Sequence, residues 1–540
     1  MSALTGTVAL TRLAFRRDRV ALPAWITGLS ALMAAFAAMT VGALATEQDV
    51  IHETEFMAGN PALRMLGLAS GPTVGGYAMI RSHVTLAILA VLMSVFAVVR
   101  HTRQSEATGR SELVGSAVVG RYGSLASAVV VTVAANAVLA VALGLALIAN
   151  GQPVEGSFVA GASIAGVGLV FTGVAAVTSQ LSSSSRGANG TAVAALGFAF
   201  LLSGVGNMLG SVDTSGLRVV SAWPAWLSPI GWGQQMRPFG GDHWWPLILF
   251  AASFIVLLGI AGALAARRDF GRGLLREQPG PADARPGLLS PLGLIRRLQR
   301  GAVRGWAIGM LGFGLVFGAV SGSADDLEGS AREWYRRMGG TDEIADAYLT
   351  SIVSMAAMAI AVCTVQLLLR VRAEEPEGPL ESVLATAVSR PRWAVSQVLS
   401  TWLTAAGLLL LFALGMGLTA GQVLGDTAGQ LRGLTGAVLA QLPGIMVISG
   451  CVTAAVGVLP RWSVPVSWSV LLASILLGPL FGPTLNMPQW AQNISVFTHA
   501  ARAPAAEVTA GPIAVLTVIS LALVAAGTVS FRRRSLVLPA

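Results

Sequence analysis

Lysine is absent from this chain: all 35 of its basic residues are arginine. A phosphate-binding loop of the form G-x-x-x-x-G-K-[ST] needs its lysine to reach the nucleotide phosphates. The chain therefore has no such loop, and any nucleotide hydrolysis coupled to it belongs to another polypeptide. Charge is scarce as well. Only 11% of the 540 residues are charged, against roughly 25% in soluble domains. The two cysteines, Cys363 and Cys451, lie inside apolar stretches, which argues against a disulfide framework and, without clustered histidine, against a metal site. The five histidines (His52, His83, His101, His243 and His499) are scattered and read as interfacial or polar-loop residues.

What the chain has in abundance is apolar length. Hydrophobic residues make up 54% of it, more than one soluble core can hide. Segments able to cross a hydrocarbon layer roughly 30 Å thick fall near 21–45, 80–99, 123–149, 157–181, 191–211 and 244–266. A second set falls near 301–321, 347–369, 395–420, 434–459, 465–485 and 510–531. The first run is too long for a typical signal-peptide core, and eleven more follow, so it reads as an uncleaved first helix. With the N-terminus cytoplasmic, 26 arginines face inward and 9 outward, as the positive-inside rule requires. The net charge of +9 then reports topology, and nucleic acid is not an expected partner. The expected location is a bacterial inner membrane, with both termini cytoplasmic.

The stretch from Asp269 to Leu292 carries Pro279, Pro281, Pro286 and Pro291 among glycines and charges, and reads as a cytoplasmic linker. Arg-rich, partly apolar stretches precede the first span on either side of it: Leu10, Leu13 and Phe15 in one, Leu292, Leu294 and Ile295 in the other. Each suits a short helix lying at the inner headgroup layer.

The two halves also repeat. Arg103, Glu106, Gly109, Glu112, Val119 and Arg121 match Arg372, Glu375, Gly378, Glu381, Val388 and Arg390, every pair 269 positions apart. Pro224, Trp226 and Arg268 match Pro488, Trp490 and Arg532 at 264, and Arg16 and Trp25 match Arg297 and Trp306 at 281. Six spans per half make the repeat parallel, about an axis along the membrane normal. The expected fold is therefore an all-α polytopic membrane protein of about twelve transmembrane helices, a fused pseudo-dimer. Its parts are a first half (1–268), a linker (269–292) and a second half (293–540).

The motif R-x-x-E-x-x-G-x-x-E, with a further arginine nine residues on, follows span 2 and again span 8. Its spacing of three lines Arg103, Glu106 and Glu112 along one side of a short helix, with Gly109 as a turn point. One copy is compatible with a solvated loop holding local ion pairs. Two copies at equal spacing in otherwise diverged halves favour a docking surface whose fixed charges set register with a soluble partner.

Here a family resemblance becomes specific. The loops "RAEEPEGPLESVLATAVSRPRW" and "RQSEATGRSELVGSAVVGR" resemble the coupling-helix region of ABC exporter permeases of the ABC-2 membrane class. The fused layout, "TSQLSSSSRGANG" and "PAWLSPIGWGQQMRPF" resemble, more narrowly, actinobacterial polyketide-antibiotic (tetronasin-type) exporter permeases, over nearly the entire chain. The resemblance implies efflux of hydrophobic or amphipathic compounds and a separate ATPase subunit, two copies beneath one permease, binding ATP and Mg. It also implies that Glu106, Gly109, Glu112 and Arg121, with Glu375, Gly378, Glu381 and Arg390, face the ATPases. The first copy has Ser105 where the second has Glu374, which leaves equal coupling of the two sides open.

Trp223, Trp226, Trp232, Trp244 and Trp245 crowd one outer segment, either as an aromatic belt at the interface or as a lid over the exit. The outer loop "DDLEGSAREWYRRMGGTDEIADAY" reads as an exposed amphipathic helix around Trp334 and Tyr335. Phe198, Phe200 and Asn207 in span 5, and Trp468, Leu472 and Phe481 in span 11, are candidate pathway walls, with core packing as the alternative. No Asp or Glu falls within the twelve spans. An ion-coupled secondary antiporter, the main rival, normally carries such a group at depth. A membrane enzyme would need clustered catalytic groups, and the outer acids Glu47, Asp49, Glu53 and Glu55 lack a matching basic or metal-binding set.

Overall fold

The computed structural model describes the whole chain except residues 1–2, 45, 66, 108, 110–116, 270–272, 275–282, 284–285, 324–343, 376–378, 480–486, 507 and 535–540. Most of the expected linker and the loop around Trp334 and Tyr335 lie outside the described residues. The regular structure is helical apart from one small ribbon, β1 (Ser211–Val212) antiparallel to β2 (Val219–Val220). By packing, the chain divides into two compact units, Met1–Gly280 and Pro281–Ala540. Eleven helices among the described residues are long and apolar enough to cross a membrane.

Unit 1 opens with a short helix α1 (Thr7–Arg17), then α2 (Ala21–Ala43) and a third helix, α3 (Glu47–Gly59). The chain continues through α4 (Val74–His101), α5 (Arg103–Ala107), α6 (Gly123–Ile148), α7 (Val154–Leu181) and α8 (Ser185–Met208). A 3-10 turn at Trp223–Leu227, the short α9 (Pro229–Gln235) and α10 (Leu247–Arg267) complete the unit. The core forms where α4 meets its neighbours: Val91, Val95 and Val98 join Val167, Phe171 and Ala175 of α7, while Leu86, Ala90 and Met93 join Leu139 and Leu143 of α6. Lipid tails are as apolar as leucine, so close packing of small residues holds such helices together. Gly161 of α7 shows this, because a methyl group there would overlap the Ala140 carbonyl of α6.

Unit 2 runs α11 (Pro291–Val320), α12 (Ile344–Glu374), α13 (Pro379–Leu384), α14 (Arg390–Leu424), α15 (Thr427–Leu439), α16 (Leu442–Val458), α17 (Ser463–Leu477) and α18 (Ala510–Arg533). Two differences from the expected spans stand out. The segment near 434–459 is the end of a longer helical pair, α15 and α16, spanning Thr427–Val458. The segment expected at 465–485 forms only the 15-residue α17, too short to count among the eleven. Its helix stops at Leu477, before Gly478 and Pro479; glycine weakens a helix, and proline disfavours helical geometry in the residue before it.

The histidines also differ from expectation. His83, in α4, is buried in the core beside Gly233 of α9, and His101 is buried at the end of α4. His83 is thus a core residue, not an interfacial or loop one. Among the outer acids, Asp49 closes the N-terminus of α3 in a capping box with Thr46, and Glu53 accepts a hydrogen bond from the Tyr77 hydroxyl at 2.9 Å.

Candidate functional site

The loop motif that repeats along the sequence also repeats in space. In unit 1 the Arg103 side chain is almost completely buried, because its Nε donates to the Ser179 carbonyl at the end of α7 (2.6 Å) and its Nη1 to Glu106 Oε2 (2.6 Å). The same carboxylate is gripped by Arg268, whose Nη2 and Nη1 reach Oε1 and Oε2 at 2.6 and 2.9 Å. Arg121, just before α6, donates to the Arg268 carbonyl at 3.3 Å.

Unit 2 repeats each contact. Arg372 Nε donates to the Pro460 carbonyl (3.1 Å) and Nη1 to Glu375 Oε2 (3.2 Å). Arg534 grips Glu375 with Nη1 and Nη2 at 2.7 and 2.9 Å. Arg390, the first residue of α14, donates to the Arg534 carbonyl at 2.7 Å. Each carboxylate thus ties the ends of four helices into one knot. A two-pronged guanidinium–carboxylate pair supplies geometry as well as energy, and Glu375 needs it because only 1% of its side chain is exposed.

The equivalence of the two arginines that close the knot differs from the sequence pairing of Arg268 with Arg532. Arg268 and Arg534 are each the residue that ends the last helix of their unit, where a cation also complements the helix dipole. Arg532 lies two residues earlier, on another side of the helix, and is exposed. The sequence offset selects Arg532, one of three adjacent arginines; the helix end selects Arg534 instead.

Glu106 and Glu375 are therefore committed within the protein. Gly109 adopts a left-handed conformation, φ +71°, as a turn demands. Glu112 and Gly378 lie outside the described residues. In unit 2 the short α13 is docked by Leu380, which joins Ile295, Val371, Trp393 and Phe531 in a buried cluster. This leaves Glu381 and Ser382 on its exposed side.

Unit 1 carries a second ionic group with no repeat. Asp18, between α1 and α2, is buried and pairs with Arg100 Nη1 at 2.5 Å and His101 Nε2 at 2.6 Å. Burial pushes its carboxyl up, but hydrogen bonding and charge from His101 and Arg100 outweigh that and hold it below the usual carboxylate range. At the 281-position offset the second half has Gln299, which donates to Gln397 at 3.2 Å.

The C-terminal domain family of the multidrug efflux system permease Rv1217c matches residues 288–532. The chain is 36% identical over 538 residues to the multidrug efflux system permease protein Rv1217c of Mycobacterium tuberculosis (strain ATCC 25618 / H37Rv), covering 99% of this chain and 96% of that relative. This chain belongs to the multidrug efflux permease family.

The permease's tryptophan-rich segment between α8 and α10 is built on polar contacts. Ser203 and Asn207 both donate to Gln234 Oε1, at 2.9 and 2.8 Å, and Ser221 donates to Asn207 Oδ1 at 2.7 Å. Trp232 Nε1 donates to the Trp226 carbonyl at 2.6 Å, Trp226 stacks on Trp245 at 5.5 Å, and Trp223 is exposed. Trp223 and Trp226 lie on the 3-10 turn and Trp232 on the adjoining α9, with Trp226 and Trp232 joined by that hydrogen bond. The candidate pathway residues are placed as follows within each unit. Phe198 is exposed, Phe200 packs partly buried against the α4–α7 core, and Asn207 is buried in the polar chain. Trp468 and Leu472 are exposed on α17, and Phe481 lies outside the described residues. Sequence reasoning missed Asp18, Arg100 and His101, because they belong to no repeated motif.

Proposed function

We propose that this permease is the membrane subunit of an ATP-driven exporter of the ABC-2 class, similar to the tetronasin-type permeases, moving hydrophobic or amphipathic compounds outward. Hydrolysis belongs to a separate ATPase subunit that binds ATP and Mg, with two copies per permease. It docks on the loops that follow α4 and α12, and those loops face the cytoplasm of a bacterial inner membrane. The observation that carries this reading is the duplicated knot of Arg103, Glu106, Arg268 and Arg121 with its copy of Arg372, Glu375, Arg534 and Arg390. A loop tied to the ends of four helices passes a push on its exposed side directly into the bundle. Glu106 and Glu375 serve as the rigid base; Glu381 and the loop containing Glu112 present the docking charge. The similarity to a multidrug efflux system permease supports efflux.

The test is affinity purification of the tagged permease in mild detergent, with an ATPase assay on whatever accompanies it. An ATPase present at two per permease and lost on Glu112→Arg with Glu381→Arg supports the reading. A permease that purifies alone and transports without ATP sinks it.

A second reading, an ion-coupled antiporter, is favoured by one observation. His83 is buried inside a membrane-spanning helix with neither ring nitrogen hydrogen-bonded, and ionisable groups at such depth commonly serve transport. Proton-driven uptake of a dye into vesicles without ATP, abolished by His83→Leu, would promote it.

A further inference from the structure

Two amides meet inside unit 2 and satisfy each other only in part. Gln299 of α11, 2% exposed, donates from Nε2 to Gln397 Oε1 of α14 at 3.2 Å. Gln299 Oε1 is buried without a hydrogen-bond partner among the described residues. Gln397 is 5% exposed, and its own side-chain N–H groups donate to nothing among those residues. A buried amide N–H keeps its full desolvation cost until an acceptor reaches it.

Gln397 lines a cleft of about 30 Å³ where α12, α14, α16 and α18 meet. Leu368, Val371, Val398, Val456 and Phe531 form its apolar wall, and Thr453 is the other polar side chain on it. The Thr453 hydroxyl donates to the Ser449 carbonyl at 2.8 Å, so its oxygen still has lone pairs with which to accept. Size and chemistry together select the occupant. The space is far below the roughly 300 Å³ of a small-molecule site, whereas a water needs only about 10–15 Å³ and at least two polar partners. Unit 1 has no such pair: Asp18 stands at the position of Gln299, and the buried Ala128 at that of Gln397.

We propose that this cleft is a binding site for one ordered water, which accepts from Gln397 Nε2 and donates to Thr453 Oγ1. The water ties α14 to α16 and, through the Gln299–Gln397 bond, α11 to both. A bridging water is nearly as good in enthalpy as a direct hydrogen bond, and the apolar wall confines it to these two partners. Val371 and Phe531 also belong to the cluster that docks α13, so the water lies next to the packing that seats that helix. Energy source and transport direction do not enter this assignment, so it stands or falls apart from the exporter reading.

Electron cryomicroscopy of the full chain in lipid nanodiscs, at a resolution that shows ordered water, tests it. A single compact density lies within hydrogen-bonding distance of the Gln397 amide and the Thr453 hydroxyl. It persists in Thr453→Ser, which keeps the hydroxyl, and is lost in Gln397→Met, which fills the same volume without an amide. A mixed-micelle unfolding titration supplies a second readout. Gln397→Met and Thr453→Val each lower the folding equilibrium constant, and the double variant falls short of the product of the two losses by about threefold or more, because either change alone already releases the water. No density in the parent, an elongated density continuous with a lipid chain, a density that survives Gln397→Met, or losses that simply multiply each overturns the proposal.

Discussion

Glu375 and Arg534 lie 159 positions apart in the chain, yet the carboxylate accepts both terminal nitrogens of the guanidinium, at 2.7 and 2.9 Å. The arginine also lies over the Phe531 ring, 4.9 Å from its centroid. One pair thus joins the end of α12 to the end of α18. Removing one member leaves the other charge buried and uncompensated, which costs about 3–5 kcal/mol. Glu375→Ala and Arg534→Ala should each lower the thermal midpoint of the detergent-solubilised protein markedly. The double variant should cost less than the sum of the two, and simple additivity would show that the pair is not coupled.

The Asp18 cluster makes stability depend on acid. A carboxyl whose folded pKa lies below its unfolded value stabilises the native state above the unfolded pKa, near 3.9, and loses that contribution as pH falls through the folded value. Unfolding at pH 3 should therefore be easier than at pH 7, and Asp18→Asn should flatten the difference. A variant with the same pH dependence as the parent would remove Asp18 from this role. The substitution should also leave Arg100 short of its partner and lower stability at neutral pH by about 2–4 kcal/mol.

His83 predicts the opposite sign. Both its nitrogens are buried without a hydrogen bond among the described residues, so the native state bears their desolvation with no return. His83→Leu should leave the thermal midpoint unchanged or raise it by the equivalent of about 1–2 kcal/mol. A large fall would mean that the ring makes a contact worth more than its desolvation.

Two glycines in unit 1 should respond differently to the same methyl group. At Gly28 in α2 nothing lies within 4 Å of the added carbon, and alanine should stabilise the helix by about 0.5–1 kcal/mol. At Gly161 the methyl meets the Ala140 carbonyl and should cost about 1–3 kcal/mol by forcing α6 and α7 apart. Paired thermal shifts in one detergent read both.

The membrane class, the helical fold and the repeat of the loop motif follow from the sequence alone, because they rest on properties that neighbouring residues carry themselves. Apolar runs of span length allow few arrangements in a bilayer, and equal spacing of Arg103 and Glu106 with Arg372 and Glu375 survives in the linear text. The early end of α17 was missed, because the apolar run continues to 485 and outweighed the helix-ending signal of Gly478 and Pro479. The direction in which a charge points was not legible either. Glu106 and Glu375 have the spacing of an outward docking face but turn inward, because Arg268 and Arg534 arrive from helix ends more than 150 positions away. The identity of Arg534 over Arg532 and the burial of Asp18 with His101 are likewise tertiary facts. A carboxylate buried against a guanidinium is fixed by which chain ends meet, and desolvation penalises every arrangement that leaves one of them without the other.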